Sequence, residues 1–147
     1  MELVGRVESL WRYPVKSMRG EELPQIFAGF PGVYGDRAYA FRSSAAPKGF
    51  PFLTGREQEQ MLRYRAAYHY PERMVSPPNL TEAEALDPGL TPVCADPVDL
   101  SVDVETPAGE KVAIDDHRLI DLLGAGEVGL QLSLRSEERR VGKECRL

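Results

Sequence analysis

Glycine and proline interrupt this chain too often for long elements to form. Thirteen glycines and twelve prolines are spread through 147 residues. Each either frees the backbone or removes an amide donor. The apolar residues between them fall in short runs with a period of two, the pattern of strands with one buried face. Leu3 to Trp11 alternates in this way and predicts a first strand. Glu22 to Ala28 predicts a second, with Pro24 confining it to an edge or a strand start. Ala38 to Arg42 predicts a third. Pro51 to Thr54 is a short extended piece, and Thr54 and Glu57 have the spacing of a capping box that closes one helical turn. From Met61 to Tyr68 a helical turn gives way to a strand, because alternation is sustained and Tyr64 and Tyr68 share a face.

Further on, Leu100 to Glu105 and Lys111 to Ile114 flank Thr106–Glu110, a hairpin with suitable turn residues. Asp115 or Asp116 caps a short helix over His117 to Leu123, ended by Gly124. Val128, Leu130, Leu132 and Leu134 mark a final strand. Residues 71–99 break the pattern and read as a surface insertion with one helical turn at Thr81 to Leu86. The sum is a mostly β fold (β/α+β), small and β-barrel-like, with a few short helices. The domain is expected to span residues 1–136. Residues 137–147 are charged, aperiodic and unlike what precedes them, so they are expected to be a non-native tail.

Composition narrows the function. The net charge is −5 and the pI about 5.1, a balance that argues against a general nucleic-acid binder. The two cysteines, Cys94 and Cys145, are far apart and form no CxxC, so they read as free thiols in a reducing compartment. The amino terminus has no basic, apolar leader pattern, and no run approaches the roughly 20 apolar residues of a membrane helix. The expected localisation is cytoplasmic, without a membrane partner.

The stretch richest in chemistry is Trp11 to Gly20. Pro14 stiffens the backbone just before Lys16 and Ser17. An ammonium and a hydroxyl on a constrained loop suit an oxyanion such as a phosphate. The same residues equally suit a solvated loop after an edge strand. Arg37 stands where the glycine-rich loop 29–37 meets a strand. It either reaches for a ligand or pairs on the surface with Asp36. Other motifs carry less. Gly124 to Gly129 spells GxGxxG, but it closes a helix and opens a strand, the reverse of a dinucleotide fingerprint. His69 and His117 form no metal-ligand spacing, so no protein-built metal site is expected. Ser17 has no evident base, Cys94 has acidic neighbours, and no catalytic residue is assigned.

Three motifs stand in order: Tyr13 to Gly20, Gly32 to Phe41 and Phe52 to Glu57. Together they resemble the N-terminal β-barrel domain of MOSC proteins. These are molybdenum-cofactor proteins related to the mitochondrial amidoxime reducing component and to the C-terminal part of cofactor sulfurases. The resemblance covers about residues 1–136, and 71–99 matches poorly. It implies that Lys16, Ser17 and Arg37 hold the phosphate of molybdopterin, and that Thr54 and Arg56 support the pterin side. It implies a metal-ligating cysteine in a C-terminal MOSC core, a role that neither Cys94 nor Cys145 inherits. It further implies an intact oxidoreductase that reduces N- or S-oxygenated substrates with electrons from an iron–sulfur or flavin donor, or a cofactor sulfur-transfer protein. The chain alone is then a catalytically inactive fragment. The alternative is a non-catalytic β-barrel module that binds a partner or substrate, and the weakest reading is a dinucleotide enzyme built on Gly124 to Gly129.

Overall fold

The computed structural model describes residues 1–29, 32–86 and 95–124, and the backbone of 131–134. Its strands are β1 (Leu10–Arg12), β2 (Glu21–Leu23), β3 (Ala28–Gly29), β4 (Gly32–Val33), β5 (Tyr39–Arg42), β6 (Arg65–Tyr68), β7 (Val102–Glu105), β8 (Lys111–Ala113) and β9 (Gln131–Leu134). Two helices, α1 (Leu80–Leu86) and α2 (His117–Gly124), and two 3-10 turns, Glu59–Arg63 and Pro71–Met74, complete it. The fold is mostly β with few helices, as the alternation and the Gly/Pro spacing predict. The ladders are antiparallel: β1 with β2, β3 with β4, β5 with β9, and a three-stranded sheet β6–β7–β8. Among the described residues these ladders do not close into one hydrogen-bonded barrel.

Local chemistry accounts for most of the elements. In β7, Val102 and Val104 face inward and Asp103 and Glu105 alternate with them. The turn-then-strand reading of 61–68 holds: Glu59–Arg63 is a 3-10 turn and β6 follows it. Asp116 Oδ1 accepts the Arg118 N–H at 2.9 Å and so caps α2, while Leu119 and Leu123, one turn apart, bury the helix against the core.

The first strand is the clearest departure. Its pairing covers only Leu10↔Leu23, Trp11↔Glu22 and Arg12↔Glu21. The next pair in that register would place Ser9 opposite Pro24, which has no N–H to donate. The hairpin opens there. Leu3, Val4 and Val7 are left largely in solvent, and Ala28–Gly29 pairs with β4 instead of extending β2. Three sequence features lie outside the described residues: Cys94 and Cys145, all of the glycine motif after Gly124, and the 137–147 tail.

The core gathers Val15, Met18, Phe41, Met61, Met74 and Leu119 with the inward valines of β7 and β8. Met74 belongs to it although it stands at the start of the 71–99 stretch. A cation is also inside. Arg12 is 2% exposed. Its Nε and Nη2 donate to Glu21 Oε1 at 2.8 and 2.6 Å, and its Nη1 donates to the Met74 carbonyl at 2.5 Å. Its guanidinium carbon lies 4.7 Å from the Tyr68 ring centroid. Tyr68 in turn donates its hydroxyl to the Gly35 carbonyl at 2.7 Å.

Removing one partner of such a pair strands the other without water. Arg12→Met is expected to lower unfolding free energy by about 3 kcal/mol, and Tyr68→Phe by about 1 kcal/mol, in urea denaturation. Adding Glu21→Met to Arg12→Met is expected to recover much of the loss. A cost for Arg12→Met no larger than for Tyr68→Phe would show that the buried cation does not organise this region.

Candidate functional site: the Lys-Ser loop beside the Asp-Arg turn

The Lys16–Ser17 pair is mounted between two core anchors. Val15 is fully buried and Met18 is 3% exposed, so the two polar residues between them are held half-buried at the surface. The loop is closed on both sides by backbone bonds. Arg19 N donates to Tyr64 O at 2.8 Å, and Ala66 N donates to Arg19 O at 2.9 Å, which ties the loop's end to β6. Gly20 is required where the loop turns into β2, because a Cβ there would come within 2.2 Å of the Arg12 carbonyl oxygen.

The start of the loop runs parallel to the stretch carrying Arg37. Arg37 N donates to Tyr13 O at 2.6 Å, Tyr39 N to Pro14 O at 3.0 Å, and Lys16 N to Tyr39 O at 2.9 Å. The third motif joins on the far side, with Leu53 N donating to Phe41 O at 2.8 Å and Phe52 bridging Arg42. All three motif segments are therefore neighbours. Lys16 and Arg37 stand at opposite ends of the parallel stretch, about 10 Å apart along it.

The turn that presents Arg37 is closed by its own backbone. Asp36 N donates to Val33 O at 3.0 Å, and Gly35 within that turn has φ +76°. A side chain on Gly35 would meet the Met74 methyl at 2.8 Å and the Tyr68 hydroxyl at 2.9 Å, both members of the Arg12 cluster. Among the described residues only two non-glycine residues have positive φ: Ser17 at 65° and Arg37 at 53°. Left-handed backbone costs a side-chain-bearing residue about 1 kcal/mol or more. Two of the residues singled out from the sequence are thus the two held in that conformation.

The head groups rest on separate aromatic faces. Lys16 Nζ lies 5.2 Å from the Phe50 ring centroid, and Arg37 Cζ lies 5.8 Å from that of Tyr13. Arg37 is also ion-paired with Asp36, as one of its two sequence readings allows. Lys16 has no carboxylate partner among the described residues. Thr54 is engaged elsewhere. Its hydroxyl donates to Glu57 Oε2 and accepts the Arg56 N–H at 3.3 Å, so it shapes a turn. That hydrogen bond is the main reason the Glu57 carboxyl is held below its ordinary pKa. The Arg56 side chain is exposed.

Elsewhere, a cavity of about 590 Å³ lies between the β1–β2 hairpin and the β6–β7–β8 sheet, and one of about 570 Å³ fills the open mouth of that hairpin. Neither is lined by Lys16, Ser17 or Arg37. The larger one is floored by cross-strand charges, with Glu105 opposite both Arg65 and Lys111. His69 Nδ1 contacts Asp103 Oδ2 at 2.6 Å at its edge, and no group of metal-ligating side chains occurs among the described residues. No described helix is long and apolar enough to cross a membrane.

Sequence reasoning gave no role to Arg12 and saw in Asp36 only a surface partner. No sequence signal marks Arg12: its phase, opposite to Trp11, is that of Arg6 and Glu8, and only the fold sets Glu21 across from it.

Two tests follow from this geometry. Thr54→Ala is expected to raise the Glu57 pKa towards the ordinary carboxylate value in an NMR titration, and an unmoved value would mean that the hydroxyl does not set it. Because the folded-state pKa is lowered, the Glu57 contribution to this turn is present above the unfolded value and is lost as pH falls through the folded one. Ser17→Gly is expected to leave stability unchanged or raise it by up to about 1 kcal/mol, whereas Ser17→Val lowers it by more than about 1 kcal/mol. Equal losses for both would show that residue 17 is not held left-handed.

Searches of curated proteins and of solved structures found no significant match. A comparison with protein families matched residues 4–113 to the MOSC N-terminal beta barrel domain. That match contains the Lys-Ser loop, the Asp-Arg turn and the Thr54–Arg56 segment, and it covers most of the chain. The chain is a member of the MOSC N-terminal beta barrel domain family.

Proposed function

We propose that this domain binds the phosphate of a molybdopterin-type cofactor through Lys16, Ser17 and Arg37. The observation that carries the reading is the parallel lacing of residues 13–16 to 37–39, which sets the Lys-Ser loop beside the Asp-Arg turn. Both Ser17 and Arg37 are held there in an unfavourable backbone conformation. Such strain persists where the surroundings over-determine it, a common property of binding sites.

The donor set fits the group. An ammonium gives mobile donors, a hydroxyl gives one more, and a guanidinium gives a planar fork that matches two phosphate oxygens. Long side chains span the separation along the parallel stretch by leaving their aromatic rests. Arg56, exposed on the adjoining turn, reaches the ligand's pterin side, and Thr54 holds the shape of that turn. When bound, the cofactor supplies a redox-active molybdenum centre. The residues of this chain bind and orient its phosphate end and move no proton or electron themselves.

A MOSC core domain completes the metal side of the site in the working protein. That protein reduces N- or S-oxygenated substrates in the cytoplasm, with electrons from an iron–sulfur or flavin partner. The functional domain runs to residue 136, and 137–147 takes no part.

A phosphorylated pterin titrated into the chain tests the reading by fluorescence anisotropy. Lys16→Ala and Arg37→Ala are each expected to weaken binding about tenfold, the loss of one charge-assisted hydrogen bond. The dephosphorylated pterin is expected to bind wild type and variants alike. Indistinguishable affinities of wild type and the double variant for the phosphorylated ligand would remove the assigned role.

A further inference from the structure

Asp36 is bonded to both halves of this site. Its Oδ1 accepts the Tyr13 N–H at 2.8 Å, and its Oδ2 is ion-paired with Arg37 Nη1. The amide of Arg37 donates to the carbonyl of the same Tyr13 at 2.6 Å. Both backbone groups of Tyr13 are therefore taken, one by a side chain and one by the neighbouring residue's main chain. The Tyr13 ring closes the circle beneath the Arg37 guanidinium. Pro14 follows with no N–H of its own, so no amide at position 14 can substitute for the one at Tyr13. The Asp36 side chain is only 18% exposed, whereas that of Arg37 is 50% exposed. The carboxylate is held inside the turn and the cation projects from it.

Resting on the anion-site reading above, we infer that Asp36 is the positioning residue of the site. It fixes the direction in which Arg37 reaches and ties the start of the Lys16–Ser17 loop to the same turn. A guanidinium carries five donors. The Asp36 pair uses Nη1, which leaves Nη2 and Nε to receive two oxygens of a phosphate monoester or of free phosphate. Asp36 thus orients the cation without competing for the ligand.

Inorganic phosphate, titrated into the 147-residue chain under mildly alkaline conditions where the dianion predominates, provides the probe. Binding is read from the backbone amide shifts of Lys16, Ser17 and Arg37. Asp36→Asn keeps an acceptor for the Tyr13 N–H and removes the charge pair, and phosphate affinity is expected to fall about threefold. Asp36→Ala removes both contacts, and a fall of about tenfold is expected. The Arg37 Nη protons, of which the Asp36 pair holds one, are expected to exchange with water faster in Asp36→Asn at an unchanged melting temperature, a change that a role confined to the Tyr13 N–H would not produce.

Affinity in Asp36→Asn that equals or exceeds wild type would overturn the inference, because the carboxylate would then be a competitor or a bystander. Asp36→Asn carries the test if Asp36→Ala fails to fold. Arg37→Ala separates the two levels. Loss of phosphate binding there with none in Asp36→Asn sinks the role of Asp36 alone. Full binding in both Arg37→Ala and Lys16→Ala sinks the anion site itself. A phosphorylated pterin in parallel distinguishes recognition of an ester from recognition of free phosphate.

Discussion

The Arg12 guanidinium is the contact on which the region of the candidate site depends. It neutralises Glu21, fills a carbonyl at Met74 and lies against the Tyr68 ring, all out of water. Each partner belongs to a different piece of chain: β2, the 71–74 turn and β6. Such a group is costly to bury, and a well-packed apolar trio would hold these pieces at least as firmly. What the cation adds is direction. A guanidinium meets its acceptors in one plane and lies with its face over a ring, which restricts the angles at which the three pieces approach it. Tyr68 passes that arrangement to Gly35, and Gly35 opens directly onto Asp36 and Arg37.

The strain in the site has its counterweight in this cluster and in the core. Ser17 lies between Val15 and Met18, whose burial fixes where the chain must run. Arg37 is followed by Ala38, which is fully buried. Fully burying a side chain the size of Val or Met stabilises by about 1.5 to 3 kcal/mol, more than a single left-handed residue costs. Positions 17 and 37 can therefore hold residues that prefer other backbone geometry, and they need not be glycine. The unfavourable conformations fall on two residues whose side chains bear hydrogen-bond donors.

Much of this was legible in the residues. Gly/Pro spacing and period-two runs placed β5, β6, β7 and β8, and capping residues placed α2, because each packs one face on the core and the pattern records that face. The first hairpin was over-read. Alternation in Leu3 to Trp11 is real, but a strand needs a partner, and Pro24 withdraws one donor at the decisive position. Arg12 was illegible as a core residue, since charged side chains are rarely buried and its partners at Met74 and Tyr68 are distant in sequence. The candidate site was legible at the level of residue types. Its support was not, because a carboxylate that bonds a backbone amide 23 residues away leaves no periodic trace.

The hairpin that opens at Pro24 also bears on how the molecule behaves in solution. Its first nine residues precede β1 and carry Leu3, Val4 and Val7 in the open. Exposed apolar side chains on such a segment favour intermolecular β-pairing, which the interspersed Glu2, Arg6 and Glu8 oppose. A lysine or proline introduced in this arm would lower its tendency to pair while leaving the Lys16–Ser17 loop and the Asp36–Arg37 turn unchanged.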